Sequence, residues 1–269
     1  MSSFVVCNRG ERMQKAVVNG VKANFFCLST PTVKSRIHFF PSAGSTGGHY
    51  PVSCHVTVFG KGIERRSVQL DGGRLNQPDG IRLEDAFPSL NLEATGMCGV
   101  EMSLVCQSGR VNLLPSRIVI EMVSPQFGLA YSAASFKPIE RHELDAASSA
   151  AESAAESADL AVGVGLSDSS MSSSLVVINS GEDTFRPDFM HASLDGDAAF
   201  PIGTVGPNSV VEFPLDETLC KTDTSRSMLW GDARIEKLWS QTLSEQDSVA
   251  CYMLYRDPAT RRPLSVCAL

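Results

Sequence analysis

Apolar and polar residues alternate one by one through much of this chain. In Val52-Ser53-Cys54-His55-Val56-Thr57-Val58 the apolar set is Val52, Cys54, Val56 and Val58, and the polar set is Ser53, His55 and Thr57. An extended backbone sends successive side chains to opposite faces, so this period of two predicts a half-buried strand. Residues 100–106 and 118–122 repeat the pattern, and short β-branched or aromatic runs at 24–28, 36–40, 67–70, 80–83 and 127–132 predict further strands. Between them lie turn signals such as Asp71-Gly72-Gly73, Pro78-Asp79-Gly80 and Ser108-Gly109. The connections are too short and polar to be crossover helices, which favours an antiparallel sandwich or small barrel over a parallel α/β sheet.

The alternation stops at Ala146-Ala147-Ser148-Ser149-Ala150-Ala151-Glu152-Ser153-Ala154-Ala155-Glu156-Ser157-Ala158-Asp159, which contains no large apolar residue. With no stripe to dock, such a segment is a solvated spacer and the natural place for a domain boundary. Strand patterns resume at 174–178, followed by an Asn179-Ser180-Gly181 turn, then at 189–194, 209–213, 250–255 and 263–267. One stretch reads differently: Asp232 is placed to cap a helix with Ile235, Leu238, Trp239 and Leu243 on one face. The expected architecture is therefore all-β and mainly antiparallel. It comprises two tandem β-sandwich-like domains, over residues 1–143 and 160–269, joined by an Ala/Ser/Glu linker at 144–159, with one short helix in the second.

The halves also share a faint order of elements. Residues 80–83 precede 100–106 and 118–122 much as 210–213 precede 250–255 and 263–267, the second copy carrying an insertion that holds the helix. This is the trace expected of a duplicated unit.

Composition narrows the partners. A hydrophobic share of 43% with 20% charged residues is that of a chain able to build a core, and a net charge of −7 opposes the positive field that gathers nucleic acid. No basic, apolar leader opens the chain and no window reaches the ~20 apolar residues of a membrane helix, so a cytoplasmic protein is expected. Several of the eight cysteines, including Cys27, Cys54, Cys106, Cys251 and Cys267, sit in apolar runs and read as buried, reduced thiols; an oxidising compartment would reopen the question of disulfides.

Candidate chemistry is sparse. The Ser42-Ala43-Gly44-Ser45-Thr46-Gly47-Gly48-His49-Tyr50 segment lacks the helix and lysine of a phosphate cradle and reads as a hairpin loop, in which His49 and Tyr50 offer a hydrogen bond and a stacking face to a ligand. Trp230 is a further stacking candidate, whereas Trp239 belongs to the helix stripe. His38 and His55, on strands expected to be neighbours, could share a sheet face and hold a metal with Glu101 or His49. Cys54 and His55 alternate to opposite faces and cannot cooperate, and Asp195-Gly196-Asp197 reads as a turn. No nucleophile motif is present. The function expected on this basis is non-catalytic: a binding or assembly module contacting a carbohydrate, small molecule or protein through loops or a sheet face, without a cofactor. Self-association is compatible with it. The alternative is a metal-dependent enzyme or metal-binding barrel built on the histidine cluster.

Overall fold

The alternating segments form strands in the computed structural model, which describes residues 20–40, 52–70, 77–106, 117–133, 137–139, 160–167, 171–187, 190–192, 198–199, 203–215, 228–230, 233–240 and 248–269. The first half contributes β1 (Gly20–Ser29), β2 (Lys34–Phe40), β3 (Val52–Gly60), β4 (Ile63–Leu70), β5 (Ile81–Arg82), β6 (Gly96–Cys106), β7 (Arg117–Ser124), β8 (Phe127–Ser132) and β9 (Lys137–Ile139). The second contributes β10 (Leu160–Ser167), β11 (Ser172–Asn179), β12 (Met190–Ala192), β13 (Ala198–Ala199), β14 (Ser209–Pro214), β15 (Met228–Trp230), β16 (Ala233–Ser240), β17 (Val249–Arg256) and β18 (Pro263–Ala268). The 144–159 segment lies outside the described residues.

Four antiparallel sheets result among the described residues. Sheet I runs β4-β3-β6-β1-β9 and sheet II runs β5-β2-β7-β8; sheet III runs β13-β12-β16-β10, with β15 also on β16, and sheet IV runs β14-β11-β17-β18. Setting β9 and β15 aside, the eight remaining described strands of each half follow the same order in the chain and in their sheets. Sheet III repeats sheet I, and sheet IV repeats sheet II.

This topology corrects the expected alignment of the halves. Residues 80–83 and 210–213 do correspond, as β5 and β14, but β6 corresponds to β16, β7 to β17 and β8 to β18. The expected helix is corrected with it. Residues 233–240 form the strand β16, paired with β10 on one side and with β12 and β15 on the other. Ladders on both edges satisfy its backbone, and this tertiary pairing overrides a helical spacing that a segment rich in Ile, Leu and Trp fits equally well. The α-helix among the described residues is instead α1 (Leu83–Ala86), a single turn directly after β5.

Sheet I is covered on both faces. Phe25, Cys27, Val56, Val58, Val100 and Met102 pack with Ile37, Ile118, Ile120 and Met122 of sheet II. The alternate positions meet sheet IV: the Asn24 side-chain amide donates to the Ser248 carbonyl at 3.4 Å, Phe26 packs edge-on against Tyr252, and Arg65 reaches Ser180 and Asn208. Sheet IV is divided by the same alternation. Val176, Ile178, Tyr252 and Leu254 join the core of the first half, whereas Leu175, Val177, Cys251 and Met253 form a second core with Phe185, Val205 and Leu215. All eight residues of β11 are consequently buried. The halves thus share a continuous core.

A strand edge needs protection at this junction. Among the described residues β9 pairs with Gly20, Val21 and Lys22, and no described strand flanks the outer side of β1 from Ala23 onward. Side-chain hydroxyls close it. Tyr252 donates to the Asn24 carbonyl at 2.7 Å, Tyr131 donates to the Phe26 carbonyl, and Ser35 both accepts from the Leu28 N–H and donates to its carbonyl. Satisfying the edge from within removes a template for pairing with another chain.

Candidate functional site

Sheets II and IV are equivalent, but their edge strands differ in length. β14 pairs with β11 over six residues, whereas β5 pairs with β2 only through Arg36–Arg82 and Ile37–Ile81. The chain enters this shortened edge through a turn in which the Gly80 N–H donates to the Gln77 carbonyl at 3.0 Å. Gly80 has a positive φ of 70°, and a Cβ there would stand 2.8 Å from the His38 ring, so both backbone and packing call for glycine. After β5 the chain coils immediately into α1.

A cavity of about 290 Å³ lies at this corner. Its apolar lining includes Leu70 and Ile81, both buried, and its polar lining includes Gln77, Asp79, Arg82 and Asp85. The two carboxylates, the amide and the guanidinium are planar groups able to hold paired hydrogen bonds.

Beside the cavity, β2 presents His38 and Phe40 on the outer face of sheet II. His38 Nε2 lies 3.1 Å from Glu121 Oε2, and Arg36 Nη1 approaches the same oxygen at 4.0 Å. The His38 ring stacks on Phe40, with centroids 6.4 Å apart. Phe40 is 53% exposed, a large value for an apolar ring.

The sequence-derived candidates are distributed over different parts of the fold. His38 belongs to sheet II and His55 to sheet I, where His55 lies opposite Ser103 and Gln69. The expectation that they sit on neighbouring strands is corrected: the chain changes sheets between β2 and β3 rather than turning back as a hairpin. Glu101 accepts from Arg65 Nη2 at 2.9 Å, at the junction of the halves. Among the described residues no three His, Cys, Asp or Glu side chains are arranged to hold a metal ion. Trp230 falls in β15, opposite Ala233. His49, Tyr50 and the 195–197 turn lie outside the described residues.

Arg65 and the tyrosine pair carried no signal in the sequence. From β4, Arg65 donates to the Ser180 carbonyl, Asn208 Oδ1 and Glu101 while lying over the Phe59 ring, so one guanidinium ties the two halves. Tyr131 and Tyr252 pack edge-on at 5.6 Å, each also against Phe26. Burial raises the Tyr131 hydroxyl well above its ordinary pKa, the nearby Tyr252 adding to the shift, which keeps it a neutral donor. Pro78-Asp79-Gly80 was legible as a turn, but nothing linear shows that it converges with Arg82 and Asp85 on a cavity. Among the described residues no helix is long and apolar enough to cross a membrane. No protein-family model matches the chain, and no curated protein matches it.

Proposed function

We propose that the chain is a non-catalytic binding module that takes a small, hydroxyl-bearing molecule, of about the size of one sugar unit, at the β5 corner of sheet II. The cavity carries this reading. At about 290 Å³ it stands at the lower end of the range for small-ligand sites, and it combines an apolar lining with amide, carboxylate and guanidinium groups. Such groups take vicinal hydroxyls through paired hydrogen bonds. The exposed Phe40 ring nearby supplies the kind of apolar face on which a sugar ring rests.

The test is a titration of the full chain with a panel of monosaccharides, disaccharides and polyols, followed by NMR. Saturable shifts confined to residues 77–86 and the end of β2 are expected, with Arg82→Ala and Asp79→Asn each weakening binding at least about tenfold, the loss of one charge-assisted hydrogen bond. If no member of the panel saturates, or if shifts map elsewhere, the reading fails.

A further inference from the structure

Cys27 of β1 and Cys98 of β6 are direct register partners, and both are buried. Partners in a ladder share a face, and this pair points into the core between sheets I and II together with Phe25, Val100 and Met102. The hydroxyls that close the outer edge of β1 also identify the kind of pair. They engage Asn24, Phe26 and Leu28, so the backbone groups of the intervening residues, Cys27 among them, are directed at β6. Cys27 and Cys98 are therefore a hydrogen-bonded antiparallel pair, for which the Cα atoms stand about 5.5 Å apart. That separation falls within the roughly 4.4–6.8 Å that a disulfide spans, while the Cβ atoms, roughly 5 Å apart in such a pair, must close by about 1 Å for the bond to form.

We propose that Cys27 and Cys98 are a disulfide site whose closure is decided while the sandwich folds. Both thiols are free in the reduced fold. Chemically, one thiolate attacks a small-molecule disulfide such as oxidised glutathione, releasing one glutathione thiol and leaving a mixed disulfide. The second cysteine thiolate then displaces the other glutathione, so the two protein thiols are oxidised and one small disulfide is reduced to two thiols. The folded protein cannot begin this exchange. Burial pushes the Cys98 thiol up to about 12, the Glu84 carboxylate contributing, and raises Cys27 as well, so neither is a nucleophile near neutral pH. A chain folding in a reducing compartment buries two silent thiols; one folding in an oxidising compartment joins β1 to β6 covalently.

The test makes the full chain twice, in a reducing bacterial cytoplasm and exported to the oxidising periplasm. Each sample is denatured in alkylating agent and its peptides are mapped. A Cys27–Cys98 linked peptide is expected only in the exported protein, with Tm higher by roughly 5–15 °C because the cross-link restricts the unfolded chain. Folded, reduced protein incubated with oxidised glutathione is expected to acquire no link, whereas the same protein unfolded and refolded in that buffer acquires it. Cys27→Ala and Cys98→Ala variants, made separately, should each fold and lose both the link and the added stability. Alkylation of both cysteines in the exported protein, or their linkage to other cysteines, would overturn the site. Ready formation of the link in the folded, reduced protein would overturn the control by folding.

Discussion

The Tyr252 hydroxyl donates to the Asn24 backbone carbonyl at 2.7 Å, joining positions 228 residues apart. One residue belongs to sheet IV and the other to the buried outer edge of β1 in sheet I, so the bond closes a strand edge and fastens the two halves together. Tyr252→Phe keeps the ring against Phe26 and Tyr131 but leaves a buried carbonyl without that donor. The expected cost is about 1–2 kcal/mol, a fall in Tm of about 2–8 °C. Thermal unfolding followed by circular dichroism measures it, and an unchanged Tm would remove the bond from any account of how the halves hold together.

Gly99 lies between Phe26 and Phe59 in the register of sheet I, and a Cβ there would stand 2.4 Å from the Phe59 ring. Gly99→Ala must displace that ring, at a cost of about 1–3 kcal/mol from overpacking. Phe59→Leu makes room. The double variant should consequently be more stable than the sum of the two single changes implies, and urea midpoints of the four proteins would expose simple additivity if the clash is absent.

Separating the halves should expose what each now covers. A fragment of residues 160–269 would present Val176, Ile178, Tyr252 and Leu254 to water, and a fragment of residues 1–143 would present Phe26 and Phe59. Each alone is expected to bind a hydrophobic dye and self-associate, and mixing them should suppress both effects. Two monomeric, dye-silent fragments would show that the shared core contributes little.

Stability should depend on pH through Glu212. Burial raises this carboxyl, but the paired hydrogen bonds and charge of Arg256, with Ser174 and Arg261, outweigh it and hold its pKa below the ordinary value. A depressed folded pKa stabilises fully above the unfolded value of about 4.3, and the contribution is lost as pH falls through the folded pKa below it. Glu212→Gln is expected to cost about 1–3 kcal/mol at pH 7, because Arg256 loses a charged partner while only 12% exposed. The gap in Tm between wild type and variant should close as pH is lowered from 5 toward 2. A gap constant over that range would contradict the assignment.

The fold class was legible because alternation is a local property. Val52, Cys54, Val56 and Val58 had to share one face of an extended chain whatever lay above it, and β3 follows from that. The turn at Pro78-Asp79-Gly80 was equally local, since Gly80 adopts a left-handed φ available chiefly to glycine. Segments with short or glycine-interrupted patterns, such as β10 with Gly163 and Gly165, gave no usable signal.

Sheet membership was decided by tertiary structure, because a strand's partners are set by hydrogen bonds to distant segments. His38 and His55 lie 17 positions apart in the chain, yet they belong to different sheets. The stretch containing Ile235, Leu238 and Trp239 satisfies a helical stripe on its own, but β10, β12 and β15 supply ladders that make it a strand. The junction depends most on the fold. Ser35 and Tyr131 meet β1 only when sheet II packs beside it, and Tyr252 only when sheet IV of the other half does, since a hydroxyl has no local reason to choose one carbonyl over another until packing brings them within 3 Å. From its sequence alone this chain had to be a protein of alternating strands; which faces are buried, and what lies at their edges, was decided by how four sheets cover one another's apolar sides.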